Sequence, residues 1–164
     1  MKRVLSVIDD FIDDIKILDL SNNQGMQTAL NLAVMNATNE KICIINDDNV
    51  LCKGWDKIIE SELNEKQVLT INQIEPTGPG IFNFPVKDLG RTPKDFRYDE
   101  FIEYELRLRE KGILTRDGGI FPFAMYKKDY MIVGGFDTMY QSPFICDWDF
   151  FLKLDLNNIS FYRT

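Results

Sequence analysis

The sequence predicts a single α/β domain over residues 1–164, with a mostly parallel sheet flanked by helices. Helix-length stretches with apolar residues at three- and four-residue spacing alternate with short apolar runs of strand length. The run over 42–45 is apolar throughout, which is typical of a strand covered on both faces. A composition of 45% hydrophobic and 12% aromatic residues suffices for one core.

The first half of the chain is predicted to alternate helix and strand. Apolar periodicity favours helices over 4–15, 26–37 and 55–63, and polar residues at 21–25 favour a turn. Strands are predicted over 15–20, 42–45 and 68–72.

The second half is less regular. Residues 73–94 are rich in proline and glycine, and this length predicts either a functional loop or an irregular edge. Helices are expected over 101–108, 129–133 and 147–156, and strands over 120–126 and 159–162. Pro122 weakens the first of these strands because proline cannot donate to a ladder.

The composition excludes several classes of function. The absence of histidine excludes Ser-His and Cys-His catalysis and imidazole acid/base chemistry. A net charge of −7 argues against nucleic acid or an anionic membrane as the main partner. Three cysteines without a C-x-x-C spacing fit a reducing, cytoplasmic compartment. No apolar run is long enough to predict a membrane span.

An acidic cluster, Asn46-Asp47-Asp48-Asn49, directly follows the most apolar strand. In open α/β sheets, ligands bind beyond the carboxyl ends of the strands. Four oxygen-bearing side chains are hard ligands suited to Mg²⁺ or Mn²⁺, with phosphates completing the shell. The alternative is an Asx-rich turn with no ligand.

A second acidic cluster, Cys146-Asp147-Trp148-Asp149, is predicted at the start of a helix. A carboxylate beside Trp148 and Phe150 would be partly desolvated, which raises its pKa and favours a general base. The alternative is a helix N-cap. The segment 134–137, Gly-Gly-Phe-Asp, predicts either a phosphate loop or a helix C-cap followed by a turn.

Taken in order, these pieces resemble the family 2 glycosyltransferases, which have the GT-A fold. The matching text is Asn23-x-Gly25 leading into a helix with Asn31, the strand that ends in Asn46-Asp47-Asp48-Asn49, the Gly-Gly-Phe-Asp segment, and the Asp147 helix start. The resemblance implies metal-assisted transfer of a sugar from a nucleotide-sugar donor to a saccharide or other hydroxyl acceptor, with inversion.

The resemblance also implies roles for individual residues. Asp48 would bind the divalent cation, Mn²⁺ or Mg²⁺, and Asp147 would be the catalytic base. The remaining implied positions are Asp19, Asn23, Asn46 and Asp47 for the nucleotide-sugar, and Gly135, Asp137, Trp148 and Asp149 on the acceptor side.

The sequence departs from the family pattern at several points. Asn46 replaces the first acidic residue of the Asp-x-Asp motif, and Cys146 replaces the glutamate that precedes the base. The family's first strand and its later histidine have no counterpart, so we expect a fragment of a longer enzyme or a reduced, inactive relative. The rivals are a non-catalytic binding domain of the same fold and a nucleotidyltransferase. The sheet edge left by a missing strand would offer a second copy a pairing surface.

Overall fold

The computed structural model describes residues 15–78, 84–109, 119–140 and 143–164. Within these ranges the chain forms helices and strands that alternate along most of its length. In chain order they are α1 (Met26–Asn36), β1 (Lys41–Ile44), α2 (Trp55–Glu62), β2 (Gln67–Thr70), α3 (Tyr98–Arg109), β3 (Phe123–Tyr126), α4 (Lys127–Ile132), α5 (Pro143–Leu156) and β4 (Ser160–Arg163).

The described strands form one sheet in the order β1-β3-β2-β4. β3 pairs antiparallel with both β1 and β2, whereas β2 and β4 pair parallel. The mixed α/β class is confirmed, but the sheet is only partly parallel: β1, β2 and β4 run in one direction, and two of the three described pairs are antiparallel. The reason is that β3 inserts between β1 and β2 and runs against them.

One face of the sheet carries the main core. Alternate residues of each strand point to this face, as the pleat requires, and they include Ile42, Ile44, Val68, Phe123 and Met125. α1 and α5 cover them with apolar side chains. α1 contributes Val34 to this cluster, α4 contributes Tyr130, and α5 contributes Cys146, Phe150, Phe151 and Leu154.

The opposite face of the sheet is covered by α2. Ile59 of α2 and Leu63, just after it, pack on Leu69 of β2 and Ala124 of β3, and Cys43 of β1 lies against this cluster. Strands covered on both faces explain the apolar runs of the sequence.

Two predicted elements need comment. The strand over 15–20 is not formed, because these residues lie outside regular structure with mostly exposed side chains. The segment pairs with no strand of the described sheet. Lys16, Leu18 and Leu20 instead line a cavity of about 390 Å³ against α1. The helix predicted over 4–15 lies outside the described residues except at its last position.

The helices of the second half begin earlier than predicted. α3 begins at Tyr98 and α5 at Pro143, where proline is well suited because the first helical N–H has no intrahelical partner. Between 73 and 94 the described backbone is irregular apart from an isolated bridge between Glu75 and Val86, as an irregular edge predicts. Among the described helices, none is long and apolar enough to cross a bilayer.

A buried carboxylate fixes the turn that leads into β2. Lys66, just before the strand, has a φ of 54°, a left-handed conformation that costs free energy for a residue with a side chain. Its N–H donates to Oδ2 of Asp129, which is 1% exposed, over 2.9 Å. Asp129 of α4 therefore pins the turn to the helix that follows β3.

We expect Asp129→Ala to lower the free energy of unfolding by about 2 kcal/mol, because the partly buried N–H of Lys66 loses its charged acceptor. Asp129→Asn retains an acceptor oxygen and should lose less. Urea-induced unfolding followed by circular dichroism measures both. A loss below about 0.5 kcal/mol for the alanine variant would show that the turn does not depend on this bond.

Candidate functional site

One edge of the sheet collects the ends of three strands. β1, β2 and β4 point the same way, so their carboxyl ends meet there, beside the first residue of the antiparallel strand β3. The register pairs Ile44 and Thr70 with Phe123 at this edge. The acidic segment 46–49 follows β1 and therefore begins at the same edge.

α5 brings the second acidic cluster to this edge. The ring of Phe123 contacts the rings of Phe150 and Phe151, with centroid distances of 5.9 and 5.3 Å. α5 continues from there to the opposite edge, where β4 begins. Asp147 precedes Phe150 by about one turn, or about 5 Å along the helix axis, on the side of the strand ends. Both acidic clusters thus belong to one edge of the sheet.

The start of α1 is at this edge too. A short connection joins α1 to β1, and Val34 packs in the cluster of Ile42 and Ile44, so the helix runs back along the strand. Before the helix, Asn23 Oδ1 accepts a hydrogen bond of 2.9 Å from the N–H of Gly25, whose φ is 83°. Asp19 lies exposed in the segment that leads there.

The acidic segment after β1 is a tight turn. The N–H of Asn46 donates to Asn49 Oδ1 over 3.1 Å, and the N–H of Asn49 donates to the carbonyl of Asn46 over 3.3 Å. The Asx-rich turn weighed from the sequence is therefore present, as a β-turn over 46–49. It leaves the side chains of Asp47 and Asp48 exposed to solvent, so the turn does not occupy their carboxylates.

The oxygen donors of this turn suit a hard cation whose remaining ligands come from a bound molecule. Its side chains offer carboxylate and amide oxygens, which Mg²⁺ and Mn²⁺ prefer. In the described part of the chain, no group of three or more Cys, Asp or Glu side chains is placed to hold a metal ion. The turn offers oxygen donors of the kind that bind Mg²⁺ together with phosphate oxygens.

Asp147 is a half-buried carboxylate inside α5. Burial raises the pKa of its carboxyl above the ordinary value, and a hydrogen bond from the Cys146 thiol opposes this shift. The Cys146 sulfur lies 3.6 Å from Asp147 Oδ1 and is fully buried. The N-cap alternative does not hold, because the helix begins four residues earlier, at Pro143.

The Gly-Gly segment ends α4. The N–H of Gly134 donates to Met131 O and that of Gly135 to Tyr130 O, over 3.1 and 3.2 Å, so the C-cap interpretation is confirmed. A side chain at Gly134 would meet open space, whereas one at Gly135 would collide with Asn31 Oδ1 and the Tyr130 ring.

The residues predicted on the acceptor side differ in their surroundings. Asp149 Oδ2 lies 3.1 Å from Lys153 Nζ, an ion pair, and the same ammonium donates to Gly135 O over 2.7 Å. Asp137 is exposed and its Oδ1 accepts from the N–H of Met139. Trp148 is 82% exposed. Asp149 thus braces the Gly-Gly turn, while Asp137 and Trp148 face solvent.

Sequence reasoning missed the role of Gln27 and assigned none to Asn31. Both amides bind backbone groups of the loop before α5, more than a hundred residues away. The available signal was their four-residue spacing on one helix, with polar side chains on a face that otherwise packs inward.

A second cavity, of about 400 Å³, lies at the opposite edge of the sheet near Glu40 and Lys127.

The comparisons with known proteins give one finding. The family model described as Glycosyl transferase family 2 matches residues 2–133, which is more than half of the chain and includes the acidic turn after β1. The match ends before α5. No curated protein and no solved structure matches the chain at a significant level. With the fold class and the acidic turn in agreement, the chain belongs to the glycosyl transferase family 2.

Proposed function

We propose that this chain transfers a sugar from a nucleotide-sugar donor to an acceptor hydroxyl, with inversion at the anomeric carbon. Membership of the family supports a glycosyltransferase-like activity. The observation that carries the finer proposal is the common edge of the sheet. The turn with Asp48, the start of α1 and the helical turn with Asp147 all lie at this edge, although they come from three distant parts of the chain.

Asp147 is assigned as the general base. Its carboxylate accepts the proton of the acceptor hydroxyl while the hydroxyl oxygen attacks the anomeric carbon. The bond from that carbon to the diphosphate oxygen breaks, and its electron pair leaves with the nucleoside diphosphate. Partial burial raises the pKa of Asp147, which makes the carboxylate a stronger base than an exposed aspartate.

Asp48 is assigned to the divalent cation, with Asp47 and Asn46 beside it on the donor. A bound Mg²⁺ or Mn²⁺ supplies positive charge that neutralises the departing diphosphate. Asn46 supplies a neutral oxygen where the family has a carboxylate, so this chain contributes less negative charge to the ion. Asn23 and Asp19 are assigned to the nucleotide-sugar, at the start of α1.

Trp148 and Asp137 are assigned to the acceptor, since both are exposed beside the base or on the loop that leads to it. Gly135 and Asp149 contribute indirectly. Lys153 links the carbonyl of one to the carboxylate of the other, and this fixes the turn from which the acceptor loop departs.

We expect Asp48→Ala to abolish Mn²⁺-dependent binding of uridine diphosphate. Calorimetry with a panel of nucleoside diphosphates, with and without Mn²⁺, measures the change. Asp155→Asn is the matched control, because it removes an exposed carboxylate near the other end of α5. Equal binding by wild type and Asp48→Ala would remove Asp48 from the cation site, and no binding by wild type would favour a non-catalytic domain.

We expect Asp147→Asn to bind donor as the wild type does and to transfer sugar at least a hundredfold more slowly, the usual loss on removing a general base. Release of nucleoside diphosphate from a panel of nucleotide-sugars, in the presence of saccharide acceptors, measures the rate. Unchanged turnover would show that another group takes the proton.

The raised pKa of Asp147 also predicts a stability effect that does not depend on activity. A carboxyl whose pKa rises on folding contributes stability below its unfolded pKa, and this contribution is lost as pH rises through the folded pKa. Asp147→Asn should therefore raise the free energy of unfolding at pH 7, and its advantage should shrink toward pH 3. Urea unfolding at both pH values tests this. An Asn variant that is less stable than wild type at pH 7 would contradict it.

A further inference from the structure

Two amide side chains of α1 form hydrogen bonds to both ends of the segment 136–140, which precedes α5. Gln27 Nε2 donates to Tyr140 O over 3.0 Å, and Asn31 Nδ2 donates to Phe136 O over 2.8 Å. Residues four apart lie on the same face of a helix, so both amides are presented to the loop together. The loop over 136–140 is thereby fixed to α1 rather than only to its neighbours in sequence.

Both the nitrogen and the oxygen of the Asn31 amide form hydrogen bonds in this contact. Its Oδ1 accepts from the N–H of Phe136 over 2.9 Å and from the Tyr130 hydroxyl over 2.7 Å. The backbone of Gly135 approaches so closely that a Cβ there would collide with the same oxygen. These contacts fix the backbone at Gly135 and Phe136, where the loop starts.

Further contacts connect Gln27 and Asn31 to the helical turn that carries Asp147. The ring of Phe136 stacks on that of Phe150 with a centroid distance of 4.2 Å and an interplanar angle of 18°. The Gln27 side chain, which is 5% exposed, also lies beside the Cys146 thiol. The Cys146 thiol in turn donates to Asp147 Oδ1. Both routes begin on α1 and end within a turn of the carboxylate.

We propose that Gln27 and Asn31 are positioning residues that fix the orientation of the Asp147 carboxylate. The proposal rests on the proposed function in one respect, that Asp147 is the base. The family's glutamate before the base is Cys146 here, and its thiol, which lies beside the Gln27 side chain, donates to Asp147 Oδ1. Orientation of the base therefore depends on a helix that itself begins at the assigned donor side of the site.

The orientation can be measured without activity. Three-bond couplings from the backbone to the Asp147 carboxyl carbon report its χ1 angle, and we expect one rotamer in the wild type. Gln27→Met retains length but removes the donor, and it should give averaged couplings. Asn31→Ala should do the same, while Asn31→Asp, which retains the acceptor oxygen, should give intermediate values.

Asn36→Ala is the matched control, because the Asn36 amide donates to Leu32 O within α1 and contacts no part of the loop. It should leave the Asp147 couplings unchanged. If Gln27→Met lowers the melting temperature but leaves a single unchanged rotamer, the two amides have a structural role alone and the proposal is wrong. Gln27→Met decides the matter even if Asn31→Ala fails to fold.

Kinetics then separate this proposal from the proposed function. With a nucleotide-sugar that wild type turns over, Gln27→Met should lower kcat roughly tenfold, since a misplaced group loses reactivity, and leave donor affinity within about twofold. A selective loss of donor affinity would contradict a role at the base. If wild type turns over no donor of the panel, the proposed function fails, while the Asp147 couplings still decide the positioning role.

Discussion

The packing of α5 on the first residue of β3 is the contact on which the candidate site depends. Phe150 and Phe151 lie against Phe123, and Phe123 pairs with the last residue of β1. Aromatic contacts of this kind bury a large apolar area and fix the helix along its axis. Moving α5 by one turn would carry Asp147 about 5 Å along the helix axis, away from its place at the edge where Asp48 begins its turn.

This arrangement explains how residues a hundred positions apart come to share one edge. β1 delivers the acidic turn, because its apolar run ends where the polar residues begin. α1 and α5 both run back across the same face of the sheet, so the starts of both helices lie at the edge where β1 and β4 end. The antiparallel strand β3 is central to this order, since it separates β1 from β2 and provides the surface on which α5 packs.

Much of the fold could be predicted because it depends on local apolar pattern. The run over 42–45 and the stripe of α2 are visible in the sequence, since burial on one or both faces selects apolar residues at fixed spacing. The segment 15–20 has the composition of a strand but gains no place in the described sheet, and local pattern cannot supply a partner. The direction of β3 was also beyond reach, because connections between elements, not their residues, determine it.

The candidate site, like the fold, could be predicted only in part from the sequence. Asp47, Asp48 and Asp147 stand out because carboxylates at a predicted strand end or helix start are uncommon without a ligand or a cap. The amide contacts of Gln27 and Asn31 left one weak signal, two polar residues four apart on a helix face that packs inward, and this pattern does not identify the distant carbonyl that each amide binds. The start of α5 is predicted too late: the sequence indicates a helix start at Asp147, with an N-cap as the alternative to a general base, whereas the helix begins at Pro143.

The central claim, that Asp48 and Asp147 face one ligand, is tested most directly by paramagnetic relaxation from bound Mn²⁺. Relaxation falls steeply with distance, so Mn²⁺ with uridine diphosphate at the β1 turn should broaden the amide signals of Cys146 and Asp147. The signal of Asp155, about 12 Å further along α5, should broaden far less, and Asp48→Ala should abolish all of these effects. Broadening confined to the β1 turn, or equal at both ends of α5, would contradict the account.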